Sequence, residues 1–100
     1  MTQADAQTND VAAENGAGAA IAPSGEALKH VLASLIFVSN EPVTAKRLAR
    51  AARSTIAEVQ PLLDELVSDY QHRGIHLYFV AGGYQFRSGR ESADFVKTLV

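Results

Sequence analysis

Three histidines are the first candidates for metal or acid-base chemistry in this 100-residue sequence. His72 and His76 are four residues apart, a spacing that suits two metal ligands on one helix. Gly74 lies between them, however, where the backbone is expected to change from helix to strand, so the two rings should diverge. His30 falls on the polar side of a predicted helix. We therefore expect three solvated histidines and no metal ligand.

Other residue types with catalytic potential also lack the required arrangement. Asp64 and Glu65 are adjacent, so they point to different sides of a helix and do not form a general acid-base pair. Gly82-Gly83 lacks the following helix and lysine of a phosphate-binding loop. The chain contains no cysteine, which excludes disulfides and thiolate metal sites. The sequence predicts no catalytic residue and no cofactor, and hence not an enzyme.

Charged residues are segregated between two predicted helices. The second helix carries a group of basic residues: Lys46, Arg47, Arg50 and Arg53. They are weak candidates for phosphate contacts, although a solvated face explains them more simply. The third helix carries an acidic group and no basic residue before Arg73: Glu58, Asp64, Glu65 and Asp69. Because such a helix repels phosphate, we expect no sequence-specific DNA binding through it.

Apolar residues at three- and four-residue spacing predict two helices in the first half of the chain. Ser24 or Gly25 caps the first helix, whose stripe is widened near its end by Phe37 and Val38. Thr44 caps a short second helix from about Ala45 to Ala52. This helix is expected to bury three small or apolar side chains: Leu48, Ala49 and Ala52.

A third helix is predicted from Ser54 to about Arg73. Its start has the capping-box pattern, in which Thr55 accepts from a first-turn amide and Glu58 reaches back to the cap amide. Pro61 removes one helical hydrogen bond, so an irregular first half is expected. Gly74 is expected to end the helix in a left-handed conformation.

A β-hairpin follows, and two apolar segments around Gly82-Gly83 indicate it. With these glycines as the turn, Phe79 lies opposite Phe86 and Leu77 opposite Ser88 on one face. On the other face, Val80 pairs with Gln85 and Tyr78 with Arg87. Both faces of the first strand are then partly apolar.

The order α-α-α-β-β predicts a mainly α fold with a small hairpin, the winged helix-turn-helix. We expect it to occupy residues 24–100, with residues 92–100 starting a further helix. Residues 1–23 have no basic or aromatic residue and are expected to be a disordered tail. No apolar run approaches the length of a membrane span, and the N-terminus lacks a signal-peptide pattern, so the expected location is the cytoplasm.

Four apolar residues that the small core does not need are candidates for a dimer or partner interface. They are Phe37 and Val38 at the end of the first helix and Tyr78 and Val80 on the outer face of the hairpin. An alternative explanation for the hairpin is internal, with Arg87 lying over the ring of Tyr78 as a cation–π pair.

Two segments give the sequence a resemblance to a known family. These are "LIFVSNEPV", a helix end, a turn and Glu-Pro before the second helix, and "VAGGYQFR", the hairpin. Together they resemble the N-terminal winged-helix domain of the bacterial segregation and condensation protein B, over roughly residues 26–100. The tail lies outside the resemblance.

The resemblance implies a non-catalytic subunit of the prokaryotic condensin. Such proteins form homodimers that grip the kleisin subunit, segregation and condensation protein A (ScpA), and through it the structural-maintenance-of-chromosomes (SMC) ATPase. A second winged helix is expected beyond residue 100. The alternative is a DNA-binding winged-helix transcriptional regulator, and the acidic third helix is the feature that separates the two hypotheses.

Overall fold

A computed structural model describes residues 22–100, so the predicted tail lies outside the described residues except for Ala22 and Pro23. The elements in chain order are α1 (Gly25–Val38), α2 (Ala45–Ala51), α3 (Ile56–Asp69), β1 (Ile75–Val80), β2 (Gly83–Ser88), a 3-10 turn (Arg90–Ser92) and α4 (Ala93–Leu99). This order confirms the predicted winged helix and the further C-terminal helix. Within residues 22–100 no helix is long and apolar enough to cross a membrane.

Threonine caps begin α2 and α3, as the sequence predicts. Thr44 Oγ1 accepts from the Arg47 amide at 3.1 Å, and Thr55 Oγ1 accepts from the Glu58 amide at 3.2 Å. The predicted contact of Glu58 with the cap amide is wrong, because its carboxylate instead accepts from the Ser54 hydroxyl at 2.6 Å. Each cap satisfies an amide that the first turn leaves without a helical partner.

The end of α3 differs from the prediction. The helix stops at Asp69, and the chain leaves it through tight turns in which the amides of Gln71 and Arg73 bond to carbonyls three residues back. Gly74 therefore does not adopt the left-handed conformation expected of it. Pro61 lies inside the continuous helix, so the predicted irregularity is also wrong. The carbonyl that loses its bond belongs to exposed Ala57, where water can replace the missing amide.

One core joins α1, α2, α3 and the hairpin. Its largest fully buried side chains come from the three helices: Leu28, Leu32, Ile36, Leu48, Val59 and Leu63. Leu77 and Tyr84 complete it from the two strands, at 4% and 5% exposure. The predicted burial of Leu48, Ala49 and Ala52 is confirmed.

The hairpin turn lies one residue earlier in the chain than predicted, which changes the pairing of the two strands. The two turn residues are Ala81 and Gly82, with φ of 51° and 78°, and not Gly82 and Gly83. The main pairs across the strands are Leu77 with Phe86, Tyr78 with Gln85, Phe79 with Tyr84 and His76 with Arg87. Two positive φ angles are what a two-residue primed turn requires.

Gly83 lies in β2 and not in the turn where the sequence predicts it. A Cβ on Gly83 would lie 2.8 Å from the Val43 nitrogen. The same segment is bonded to β2 in both directions, since the Val43 amide donates to the Tyr84 carbonyl at 2.9 Å and the Tyr84 amide donates back at 2.8 Å. Gly83 is thus needed for the close packing of β2 against the chain between α1 and α2.

Candidate functional site

A shallow apolar groove lies where the end of α1 meets the open end of the hairpin. We call it the α1–hairpin groove, and its volume is about 210 Å³. Its lining residues come from α1, the end of α3 and both strands: Ala33, Ser34, Phe37, Tyr70, Ile75 and Phe86. Because the groove is open and its lining has no titratable group apart from the tyrosine, it suits an apolar side chain and not a reaction.

The floor of the groove is held by aromatic contacts. The rings of Tyr70 and Phe86 meet edge to face, with their centroids 4.9 Å apart. The Arg73 guanidinium, from the turns that follow α3, lies 4.6 Å from the Tyr70 centroid and covers that ring. At the rim, Phe37 is 72% exposed and Ile75 is 41% exposed. The side chains of Phe37 and Ile75 are therefore exposed beside a packed pair of aromatic rings, Tyr70 and Phe86.

The structure divides the four predicted interface residues between two faces of the hairpin. Strand alternation places Ile75 and Leu77 on the core face of β1, and Tyr78 and Val80 on the outer face. Phe37 lines the groove with Ile75, so it belongs to the core-face side. Val38, the last residue of α1, is also 72% exposed. The predicted set thus forms two separate surfaces.

The outer face of the hairpin is already partly covered by its own side chains. Tyr78 is half-buried, and its hydroxyl lies 3.3 Å from His76 Nδ1. The expected stacking of Arg87 on Tyr78 is wrong. Because the true register sets Arg87 opposite His76, its Nε donates instead to Gln85 Oε1 at 2.9 Å.

His76 is not the solvated side chain that the sequence suggests. It is half-buried, and its Nε2 approaches Glu91 Oε2 at 3.2 Å, although without a favourable hydrogen-bond angle. The Glu91 carboxylate lies directly over Gly89, where any Cβ would collide with it. The Gly89 amide also donates to the Gly74 carbonyl at 2.7 Å. These contacts fix the start of the 3-10 turn beside the open end of the hairpin.

His30 and His72 are exposed, as expected. The His30 ring lies 3.4 Å from Glu26 one helical turn earlier. Across residues 22–100 no three histidine, cysteine or acidic side chains come together in a way that could hold a metal ion.

Sequence reasoning missed two exposed apolar residues of the hairpin. Phe79 is 63% exposed, although it lies on the same face of β1 as the buried Leu77, and Ile75 was not singled out. Strand alternation gives the face of Phe79 but not its exposure, which depends on how far the core extends toward the turn. The apolar residues of α4 do not close the domain but are exposed: Phe95, Val96, Leu99 and Val100.

The four basic residues predicted as weak phosphate contacts share the exposed side of α2 and the turn after it: Lys46, Arg47, Arg50 and Arg53. Within the described part of the chain, none of them lies within 4 Å of a carboxylate. Arg53 extends this surface beyond the helix with a left-handed φ of 56°. The surface is cationic and solvated.

The acidic side of α3 is less free than the sequence suggests. Lys29 of α1 bridges two of its carboxylates, with Nζ 2.6 Å from Asp69 Oδ2 and 3.1 Å from Glu65 Oε1. Hydrogen bonds to Asp69 and Glu65 raise the pKa of Lys29 to about 12. Asp64 accepts from Gln60 at 3.1 Å. Glu65 and Asp69 are thus exposed but paired with Lys29.

With this geometry established, comparison with known proteins identifies the family. A family model described as "Segregation and condensation complex subunit ScpB" matches residues 30–100. The chain belongs to this family. Segregation and condensation protein B of Syntrophotalea carbinolica is 40% identical over 74 residues, which are 72% of this chain and 38% of that protein. The homolog from Coxiella burnetii is 33% identical, over 71% of this chain and 36% of that protein.

Solved ScpB structures share the fold. The crystal structure of ScpB from Mycobacterium tuberculosis superimposes with a TM-score of 0.70 at 30% identity, over 74% of this chain and 48% of that one. A ScpB N-terminal domain, crystallised as a dimer complexed with a ScpA peptide, superimposes with a TM-score of 0.67 over 72% of this chain and 93% of that one. At 24% identity the second likeness concerns the fold alone.

The chain spans less than half the length of the ScpB relatives from Syntrophotalea, Coxiella and Mycobacterium. These matches favour the condensation subunit over the transcriptional regulator, which was the second hypothesis from the sequence. The resemblance stated from "LIFVSNEPV" and "VAGGYQFR" is confirmed.

Proposed function

We propose that this chain is the dimerising N-terminal domain of a non-catalytic subunit of an SMC–kleisin complex. In this role it pairs with a second copy, binds the kleisin ScpA and through it the SMC ATPase, and supports chromosome condensation and segregation in the cytoplasm. The observation that carries the proposal is the family match over residues 30–100. The domain also leaves two apolar residues of the α1–hairpin groove, Phe37 and Ile75, exposed. A second winged helix in the full-length subunit belongs to the same proposal.

The α1–hairpin groove is the surface that we assign to the second copy. Phe37 and Val38 are the more exposed of the predicted interface residues, and Ile75 extends the same apolar surface. Burying one large apolar side chain contributes about 1.5–3 kcal/mol, and a two-fold contact uses each side chain twice. A groove beside an exposed phenylalanine is self-complementary, since the ring of one copy can enter the groove of the other.

Tyr78 and Val80 are assigned to the kleisin. A domain that holds a second copy and a kleisin segment at once needs two separate surfaces, and the two faces of the hairpin provide them. The outer face is half-buried, with Tyr78 held by His76, so it offers a preordered surface of smaller apolar area. A crystal structure of a related N-terminal domain is described as a dimer with a ScpA peptide, which supports the need for two surfaces.

Light scattering tests the dimer directly. The chain should elute at twice its mass of 10.7 kDa at micromolar concentration. Phe37→Glu should give a folded monomer, because dimer formation would bury a carboxylate in the groove of each copy. Val80→Glu is the matched control, since it adds the same charge on the other face and should leave the dimer intact. A monomeric parent chain, or a dimer that Phe37→Glu does not affect, would reject the groove as the interface.

Binding of a kleisin tests the second assignment. Fluorescently labelled ScpA segments should bind the parent chain, and Val80→Glu should weaken this binding at least tenfold without changing the dimer mass. Unfolding by heat should show that the variant is folded. Kleisin binding that Val80→Glu leaves unchanged would move the contact away from the outer face.

A further inference from the structure

The exposed side of α2 is a continuous cationic surface. Lys46 and Arg50 are four residues apart and share one side of the helix, and Arg53 follows in the turn after it. Arg47 flanks them, and all four side chains are exposed. The opposite side of α2 is buried through Leu48, Ala49 and Ala52. We call the exposed side the α2 basic face.

Three of the four acidic side chains of α3 have partners outside this face. Lys29 holds Glu65 and Asp69 against α1, and Glu58 accepts from Ser54. Residues 45–53 contain four basic residues and no acidic one, whereas residues 54–72 contain four acidic residues and no basic one. The α2 basic face thus holds four of the nine Lys and Arg residues of the chain, and none of the four has an ion-pair partner within the described residues.

We propose that the α2 basic face binds the phosphate backbone of duplex DNA without reading its sequence. Lys46 and Arg50 are one helical turn, or about 5.4 Å, apart, with Arg47 beside them and Arg53 in the turn after the helix, so the face suits a ligand that carries several negative charges in a row. In helix-turn-helix proteins the helix before the recognition helix crosses the DNA backbone, and α2 holds this place in the fold. The face offers no asparagine or glutamine to base edges.

A membrane surface fits the same face less well. Binding of a helix to a bilayer requires apolar side chains beside the cations, and the exposed side of α2 has only Ala51. An acidic protein segment shares the charge but lacks the regular spacing of phosphates. Anionic vesicles and polyglutamate are therefore the competing ligands of the test.

The salt dependence of binding has a defined expected size. Each phosphate contact contributes about −0.9 to the slope of log K against log salt concentration, so four contacts give a slope of about −3.6. Between 50 and 200 mM salt the affinity should then fall by about 150-fold. Two duplexes of unrelated sequence should bind equally well.

Fluorescence anisotropy with a labelled duplex provides the measurement. Arg50→Gln should reduce the magnitude of the slope by about 0.9, and replacing all four basic residues by glutamine should remove measurable binding at 50 mM salt. Lys97→Gln on α4 is the matched control, because it removes one exposed positive charge from another helix and should leave the slope unchanged. Melting temperatures should be the same for all variants, since the replaced side chains are exposed.

Three results would overturn the proposal: binding that survives loss of all four cations, a strong preference for one duplex, or tighter binding of vesicles or polyglutamate than of DNA. The outcome is separable from the proposed dimer. Variants of the α2 basic face should keep the mass of the parent chain in light scattering, and a parent chain that proves monomeric would still bind DNA through this face.

Discussion

The two ends of the hairpin are built differently. At the closed end, next to the turn, Gly83 and Tyr84 pack on Val43, and the Tyr84 hydroxyl accepts from Gln60 of α3 at 2.9 Å. At the open end, Ile75 and Phe37 border a groove and remain exposed. The fold of the domain thus depends on the closed end, while the open end is free for association.

This difference separates stability from assembly. Substitutions that disturb the backbone packing at the closed end should destabilise the domain, because nothing else replaces that packing. Substitutions at the open end should change the oligomeric state and leave the folded monomer almost unaffected. The following predictions test that division, beginning with the largest expected effect.

Gly83→Ala should destabilise the domain by about 3 kcal/mol. The new methyl group would lie 2.8 Å from the Val43 nitrogen and 2.9 Å from the Pro42 carbonyl carbon, so the bridge between β2 and the α1–α2 segment would have to open. Urea unfolding measures the loss. Gly74→Ala is the matched control, since a Cβ there meets nothing within 4 Å, and an equal loss in both variants would contradict this account.

Gly82→Ala should cost less, about 1–2 kcal/mol. Gly82 has a φ of 78° but open space around its Cα, so the cost comes from backbone conformation and not from collision. Comparing the unfolding free energies of Gly82→Ala and Gly83→Ala shows whether Gly82 is needed for its backbone conformation and Gly83 for close packing. A larger loss at Gly82 than at Gly83 would contradict the assignment of Gly83 to the packing against Val43.

Ala81→Asn should stabilise the domain by about 0.5–1 kcal/mol. Ala81 holds a left-handed φ of 51°, which alanine tolerates poorly, and Asn-Gly is the preferred pair for such a turn. The melting temperature should rise by a few degrees. No change, or a decrease, would mean that the turn in solution is not the Ala81-Gly82 turn.

Ile75→Thr should change the stability of the monomer least, by about 0.5 kcal/mol, because the side chain is partly exposed and threonine also suits a strand. Its effect should appear in association instead, as at least a tenfold weaker dimer. Unfolding should be measured in a Phe37→Glu background, where dimer formation does not add to the stability. A loss as large as that of Gly83→Ala would show that the open end also belongs to the core.

The helices were predictable because their signals are local. Thr44 and Thr55 cap the helices that they were expected to cap, and the apolar spacing identified the buried side of each helix. The position of the hairpin turn was not predictable in this way, because local preference cannot distinguish which of two adjacent glycines must have positive φ. Only the contact of Gly83 with Val43, forty residues away in the chain, decides it.

The candidate surfaces were predictable in part for the same reason. Phe37 and Val38 were recognised as apolar residues beyond the needs of the core, and they are exposed. The exposure of Phe79 was not predictable, because it shares a face of β1 with the buried Leu77 and only the packed structure shows that the core ends before it. The bridge from Lys29 to Glu65 and Asp69 joins two helices and has no local signature, so the carboxylates of α3 seemed freer than they are.

The central claim is that the open end of the hairpin, and not its outer face, meets the second copy. Because the chain has no cysteine, the alkylation rate of a single introduced thiol reports directly on cover by a partner. The thiol of Ile75→Cys should become at least tenfold less reactive as protein concentration rises through the dimer range, while that of Val80→Cys should keep its rate. Protection of the Val80→Cys thiol with a constant rate at Ile75→Cys would contradict the account.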